Sequence, residues 1–518
     1  IIMMDVASLL KGIEILEENR TLSHDHNIQG IAYHSAKVKE GDLFLSFKGY
    51  QTDGYKYILD AKKKGAEAAV VESIQDNIDI PQYLVSDARH SLALCACNFY
   101  NHPSKFMKMI GITATNGKTT TAFMIDNILE NNNFKTGLVG TVLIKVGDEQ
   151  IASDLTTPES LDLQNYIYRM KENGLTHVTM EVSSSAIELD RIAGIDYDIV
   201  IFNNISREHI DLHETFENYV ALKSSLITNA KKGSWAILNM DCEEAASLIN
   251  KTDANVLTYG VNNDNAMILC KNLDLSSGRG KFTVEISKPF SINGHLYMNQ
   301  SFEISLSVPG YHSVYNAMAA IAAALICKVP IAVIQESFLN FKGVERRFEF
   351  IYENDFKIID DHFANAGNID VTMETLNFME YNKLHLVYAI RGSRGPIVNK
   401  ENAQAIVTWA KKLNLSEIIA TKSADYTTEK DIVTDEEEAV FRDIINGSKL
   451  KLELYENLSD AIGEALNRAK EDDVILLAGC QGMDYGASIA LKKLKIMNPS
   501  ISEDELFEPL KHRVCGIE

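Results

Sequence analysis

The stretch "KMIGITATNGKTTTAFMIDNILENN" (108–132) decides the fold, because it runs from an apolar segment through a Gly-Lys-Thr turn into a helical pattern. "KMIGIT" has the composition of a buried strand, and in "TTAFMIDNILENN" Met124, Ile125, Ile128 and Leu129 share one helical face. Strand, tight loop and helix start together aim backbone N–H groups and the positive end of a helix dipole at a phosphate. The loop residues are Thr115, Asn116, Gly117, Lys118, Thr119 and Thr120. Lys118 is suited to neutralise terminal phosphates, and Thr119 to offer its hydroxyl to Mg2+. Five residues separate Gly111 from Gly117, one more than in the common signature, so the stretch indicates a nucleotide without saying what is done with it.

The alternation continues outward. "HVTMEVS", "DIVIFNNI" and "SWAILNM" read as strands between helical segments, the pattern of a parallel sheet covered by helices. Residues 255–308 are richer in alternating and turn-forming residues, as in "GKFTVEIS", and are expected to form an antiparallel excursion. The alanine-rich helix "NAMAAIAAALICK" (316–328) follows. After "FKGVERRFE", the runs "FKIID", "LHLVYAI", "SEIIAT" and "DVILLAG" signal another α/β domain. Before "NHPSKF" (101–106), the runs "DLFLSFKG" and "AEAAVVES" signal a first one, with Pro103 discouraging helix across the boundary. The expected architecture is α/β in three domains, 1–105, 106–343 and 344–518.

Composition agrees with this and excludes other classes. With 518 residues the chain exceeds one core, and 46% hydrophobic with 24% charged residues is ordinary globular usage. A net charge of −22 argues against a general nucleic-acid binder. Seven cysteines, at 95, 97, 242, 270, 327, 480 and 515, show no metal spacing and no disulfide framework. Cys95 and Cys97 lie in "SLALCACNFY", read as a buried helix. No apolar run approaches the ~20 residues that span a membrane, and "IIMMDVASLLKGI" lacks the marks of a signal peptide. A cytoplasmic protein without membrane insertion is expected.

Three further residues stand where a parallel sheet binds ligands. Glu181 falls at the carboxyl end of the strand in "HVTMEVSSS", a position suited to a Mg2+ shared with phosphates, although a strand-end Glu is more often simply solvated. His209 follows the next strand. The helix after it puts Phe216, Tyr219, Val220, Lys223 and Ile227 on one face. Lys223 then has two readings: a stem lying along the apolar stripe with its ammonium in water, or a buried amine that loses its charge and becomes modifiable.

The runs "TATNGKTTT" (113–121), "TTPESLDLQ" (156–164), "MEVSSSA" (180–186), "SREHIDLHETFENYVALK" (206–223) and "PGYHSVYNAMAAIAAAL" (309–325) resemble those of the Mur ligases. The nearest branch is the UDP-N-acetylmuramoyl-tripeptide synthetases of peptidoglycan precursor synthesis, and the resemblance covers essentially the whole chain. It implies an ADP-forming, ATP-dependent acid–amino-acid ligase. A central P-loop domain would be flanked by an N-terminal UDP-binding domain and a C-terminal Rossmann-like one. The substrates would be a UDP-sugar-peptide and an amino acid, and the chain a monomer. By resemblance Lys118, His209 and Lys223 are catalytic. Thr119, Glu181, His209 and Lys223, the last carbamylated by CO2, surround the metals. Asn316, Arg347 and Asp361 join the loop in binding ATP. Ser35, Tyr50, Gln51, Thr52, Thr156, Thr157, Ser183 and Arg191 hold the UDP-sugar-peptide.

The sequence also departs from the family pattern. Ala114 replaces a Gly, Ser185 a His and Glu208 an Asp, while "HSA" (34–36) replaces Asp-Ser-Arg. In the last domain "DHFANA" (361–366), "GSR" (392–394), "TKSADYTT" (421–428) and "GCQGMD" (479–484) stand for runs that in the family include an Arg and a Glu facing diaminopimelate. Loss of that bidentate Arg leads to the expectation that meso-diaminopimelate is not the acceptor. Alternatives are a divergent paralogue ligating another amine or donor outside peptidoglycan synthesis, a folylpolyglutamate synthase-like ligase, and a non-catalytic ATP-binding relative.

Overall fold

The computed structural model describes residues 2–20, 22–23, 26–47, 54–206, 215–513 and 515–517. The chain divides into two compact units, one of residues 1–270, 284–302 and 315–337, the other of residues 271–283, 303–314 and 338–518.

Two sheets dominate the first unit, beside two small two-stranded ones. The smaller comprises β1 (Glu17–Glu18), β2 (Gly30–Ala32), β3 (Asp42–Leu45), β4 (Ala68–Val71) and β5 (Gln82–Leu84), in the order β1-β5-β4-β3-β2. All its pairings are parallel except β1 with β5. Alternate residues enter opposite apolar layers: Leu43 and Leu45 pack with helix α1 (Ala88–Phe99), and Phe44 on the other face with Ile58 and Ala61. Cys95 and Cys97 are buried free thiols on α1, as the sequence suggests.

The larger sheet positions the site. Among its strands are β6 (Lys108–Thr113), β7 (Thr136–Val139), β8 (Leu143–Val146), β9 (Glu149–Ala152), β10 (His177–Glu181), β11 (Ile199–Phe202), β12 (Trp235–Asn239) and β13 (Asn255–Gly260). They lie in the order β9-β8-β7-β10-β6-β11-β12-β13. From β7 to β13 the pairings are parallel, and β8 and β9 add an antiparallel hairpin at one edge. Helix α2 (Lys118–Asn131) carries the chain from β6 to one side, and the connection out of β10 carries it to the other. The strand order therefore reverses at β6, the place where open α/β sheets bind ligands. The expectation of an antiparallel excursion from residue 255 starts too early. β13 pairs in parallel with β12, and Tyr259 and Gly260 pair in parallel with Ile268 and Leu269. The run Leu257 to Gly260 is buried without alternation, which suits a strand covered on both faces.

In the second unit, β14 (Glu349–Glu353), β15 (Lys357–Asp361), β16 (Leu384–Ala389), β17 (Glu417–Thr421), β18 (Lys451–Tyr455) and β19 (Val474–Ala478) form a sheet in the order β14-β15-β19-β16-β17-β18. Only β14 is antiparallel. Leu386 and Tyr388 face one apolar layer, Val387 and Ala389 the other. The α/β architecture expected from the sequence is thus present in all three main sheets. No helix among the described residues is long and apolar enough to cross a membrane.

Gly111 is not part of the phosphate loop. It lies in β6 against the ring of Tyr197, where an added Cβ would meet a ring carbon at 2.8 Å. Replacing it with Val should lower the denaturation midpoint by the equivalent of about 1–3 kcal/mol. An unchanged midpoint in urea unfolding would show that the ring has room to move.

Candidate active site

The loop after β6 opens at Ala114 and closes at Gly117, whose φ of +90° starts α2. That left-handed conformation suits Gly, and a Cβ here would also overlap the side-chain amide of Asn316. The loop is pinned from β11. Thr115 N–H donates to Asn204 O at 3.1 Å, and Asn116 N–H to Asn204 Oδ1 at 3.0 Å. The Asn204 amide returns a bond to Asn116 O at 2.7 Å. Thr115 Oγ1 accepts from Ser206 N–H at 2.9 Å and shares a hydrogen bond with Tyr219 OH at 3.1 Å. Thr120 follows on the first turn of α2.

Two lysines meet at one carbonyl. Lys118 Nζ donates to Ala114 O at 2.7 Å, and Lys223 Nζ to the same oxygen at 2.9 Å. Lys223 comes from helix α3 (Phe216–Thr228), capped by Thr215, and is 1% exposed. Thr113 Oγ1 at 3.4 Å and the face of Tyr219 complete its surroundings. Burial, helped by the Lys118 charge, pulls the Lys223 amine down to about 6. Burial also lowers Lys118, against the pull of Glu181. Lys223 is therefore buried, and its ammonium does not lie in water.

On the other side of β6, Glu181 ends β10 and is buried. Its Oε1 accepts from Thr119 Oγ1 at 2.8 Å and Thr141 Oγ1 at 3.1 Å, and its Oε2 from Thr141 N–H at 2.7 Å. Gly140 leaves room for this carboxylate, since a Cβ would overlap Oε2. Thr141 Oγ1 also meets Thr156 Oγ1 at 3.0 Å. Thr157 Oγ1 donates to Glu181 O at 2.9 Å and accepts from Ser183 N–H at 3.2 Å, while Ser183 caps the short helix Ser184–Glu188. Arg191 donates to Thr157 O at 3.4 Å and to Glu159 at 3.3 Å, and its Nε is buried with no partner among the described residues. Thr119, Glu181, Thr156, Thr157, Ser183 and Arg191 therefore form one connected group.

Asn316 stands beside Gly117 on the helix Tyr311–Ile326. Its Oδ1 accepts from Asn203 at 2.9 Å, and its buried Nδ2 has no partner among the described residues. Ser35 is buried on the turn Ser35–Lys37 next to the first sheet. Arg347 and Asp361 belong to the second unit. Arg347 is exposed, whereas Asp361 is buried and accepts from Phe348 N–H at 2.8 Å, Phe363 N–H at 3.1 Å and Thr372 Oγ1 at 2.9 Å. Burial raises Asp361 to about 6 against those bonds. Tyr50, Gln51, Thr52 and His209 lie outside the described residues.

Sequence reasoning missed Thr141, Asn203, Asn204 and Tyr219. A signal existed for Thr141: "VGT" follows directly on β7, at a carboxyl end of the sheet. The carboxylate of Glu181 and the hydroxyls of Thr119 and Thr141 are hard oxygen donors. Mg2+ takes one or two carboxylates together with phosphate oxygens, so these residues fit it. No group of three or more His, Cys, Asp or Glu side chains placed to hold a metal occurs among the described residues.

Three family models match in chain order: the Mur ligase family catalytic domain over residues 27–100, the Mur ligase middle domain over 112–324, and the Mur ligase glutamate ligase domain over 346–481. The UDP-N-acetylmuramoyl-L-alanyl-D-glutamate–2,6-diaminopimelate ligase of Caldanaerobacter subterraneus subsp. tengcongensis is 36% identical, over 92% of this chain and 94% of that protein. The ligase of the same name from Clostridium botulinum is 34% identical, over 93% and 95%. A solved structure of a ligase of that name superposes with a TM-score of 0.72 at 21% identity, covering 93% of this chain and 94% of that one.

These relatives overturn the expectation that meso-diaminopimelate is not the acceptor, since proteins at 31–36% identity over most of the chain are named for ligating it. The expectation rested on missing letters at 421–428 and 479–484. A carboxylate is recognised by where a positive charge sits, and the strand ends of the second unit carry Arg346, Arg391 and Arg394 outside those two stretches. Missing motif letters therefore do not amount to a missing charge. The chain belongs to the Mur ligase family and is an ATP-dependent, ADP-forming ligase.

Proposed function

We propose that this chain joins 2,6-diaminopimelate to UDP-N-acetylmuramoyl-L-alanyl-D-glutamate at the expense of ATP, in the cytoplasm and as a monomer. The observation that carries the reading is the pair of lysines on the Ala114 carbonyl, at the sheet's switch point and across β6 from Glu181. The names of the relatives supply the donor and acceptor. Division into domains 1–105, 106–343 and 344–518 belongs to the same reading.

The reaction has two steps. A carboxylate oxygen of the donor attacks the γ-phosphorus of ATP, the bond to the bridging oxygen breaks, and ADP leaves an acyl phosphate. The acceptor amine then attacks the acyl carbon and loses a proton, and the tetrahedral adduct expels phosphate. Backbone N–H groups of residues 115–119 and the start of α2 would hold the phosphates. Lys118 would release Ala114 O and turn its charge onto the transferring phosphoryl group. Thr119 and Glu181, with Lys223 as its carbamate and His209, would hold Mg2+, which offsets negative charge on the phosphoryl oxygens. Among the described residues Asn316 Nδ2 and Arg191 Nε have no partner, which supports an adenosine contact for the first and a donor contact for the second. Thr156, Thr157 and Ser183 would orient the donor carboxylate, and Ser35, Tyr50, Gln51 and Thr52 its UDP end.

Carbamylation needs a neutral amine, because only the free lone pair adds to CO2. An amine lowered to about 6 is neutral at pH 7–8 and protonated below 6. Enzyme equilibrated with 13C-labelled CO2 should show a carbamate resonance at pH 8 that disappears as the pH falls through about 6 and is absent from Lys223→Ala. A resonance of the same size in that variant would remove the assignment.

Release of ADP should require the donor dipeptide and diaminopimelate together. Lys118→Ala should slow it roughly 100- to 1,000-fold. Rapid turnover of ATP with neither substrate present, or an active Lys118→Ala, would contradict the proposal.

A further inference from the structure

We propose that Arg391 receives a carboxylate of the amino-acid acceptor at the carboxyl ends of the parallel strands in the second unit, an inference that rests on the ligase reading above. Arg391 follows β16 directly. Its main chain is fixed at both ends by Asn399, which accepts from its N–H at 3.2 Å and donates to its carbonyl at 2.8 Å. Nη1 donates to Ala364 O at 2.7 Å, on the loop after β15. Nε is buried and has no acceptor among the described residues.

Arg346, Lys422 and Arg394 each face a carboxylate, whereas Arg347 is exposed to solvent. Arg346 pairs with Asp360 at 3.3 Å and Asp484 at 2.7 Å, and Lys422 with Glu438 and Glu456 at 3.4 Å each. Arg394 faces Asp431 at 3.8 Å. Among the described residues Arg391 has no carboxylate within ion-pair distance. A guanidinium N–H kept from water without an acceptor is costly, and nearly all such groups find one. The planar fork of Arg matches a carboxylate in two parallel bonds, so a carboxylate is the ligand that offsets both the charge and the unpaired N–H. Its charge is also felt on two adjacent strand ends. Burial first, then Arg346 and Arg391, lowers the His362 imidazole after β15, and Arg391 opposes the burial-driven rise of Cys480 after β19. From the end of β16 the guanidinium reaches the loop after β15, and β19 lies between those two strands, at the sheet edge where α/β folds bind ligands. No motif pointed to this residue, which lies just before the "GSR" run rather than within it.

Diaminopimelate offers two carboxylates, one beside the reacting amine and one remote from it, and the test separates them. Steady-state kinetics of the full chain are measured for Arg391→Ala, Arg391→Gln and Arg391→Lys, with nucleotide affinity as a check of folding. For Arg391→Ala and Arg391→Gln, KM for diaminopimelate should rise roughly 10- to 100-fold, with KM for ATP and for the donor unchanged. Arg391→Lys keeps the charge without the fork and should recover part of the loss. L-Lysine, which lacks the remote carboxylate, is tested as alternative substrate or competitive inhibitor. Loss of discrimination between the two assigns Arg391 to the remote carboxylate, and parallel weakening of both assigns it to the nearer one. A diaminopimelate KM equal to wild type in every variant, or equal shifts in the KM of all three substrates, would overturn the proposal. Failure of the wild-type chain to use diaminopimelate would instead reject the ligase reading.

Discussion

Two amines compete for one carbonyl oxygen. Lys118 and Lys223 both donate to Ala114 O, in a place where Lys223 has almost no contact with water. Two adjacent ammonium groups cannot both be kept there cheaply, so one gives up its proton. Burial and the Lys118 charge lower the Lys223 amine to about 6, and burial lowers Lys118 too, but there the Glu181 charge opposes it. Lys118 thus has a carboxylate that favours its charged form, whereas among the described residues none favours that of Lys223. That asymmetry underlies the proposed chemistry: the cation meets phosphate, and the neutral amine takes up CO2 and becomes an oxygen ligand.

The sheet makes this arrangement possible. β6 delivers the loop, β10 delivers Glu181 on one side, and β11 with the helix after it delivers Asn204, Tyr219 and Lys223 on the other. Each group is held by a neighbour rather than left at a mobile tip: Thr115 by Tyr219, Asn116 by Asn204, Glu181 by Thr141. Such preorganisation lets charge stabilisation act without rearrangement at the moment of reaction.

Much of this was legible in the letters, and the rest was hidden for definite reasons. β6 and α2 could be read from one stretch because apolar periodicity changes from a continuous run to a 3.6-residue repeat across a Gly-Lys-Thr turn. Glu181 and Lys223 could be placed by element and face, but their burial could not, because burial depends on Gly140, Thr141 and Tyr219 arriving from elsewhere in the chain. Gly111 looked like part of the loop and is a packing residue under Tyr197, a distinction that needs the partner ring. β13 looked antiparallel because its flanks are rich in turn residues, yet pairing direction is set by the incoming connection. The acceptor was misjudged because absent motif letters were equated with absent charge, while Arg391 brings a guanidinium from a different loop, its Nε without a partner among the described residues.

The central claim is that ATP activates an acid by passing its γ-phosphoryl group to a carboxylate oxygen. The most direct measurement uses donor dipeptide whose reacting carboxylate carries 18O, followed by mass analysis of the phosphate released during ligation. With both oxygens of that carboxylate labelled, each phosphate formed should carry one 18O atom, carried over when the acyl–oxygen bond breaks. Phosphate free of 18O, with ligation proceeding, would contradict it.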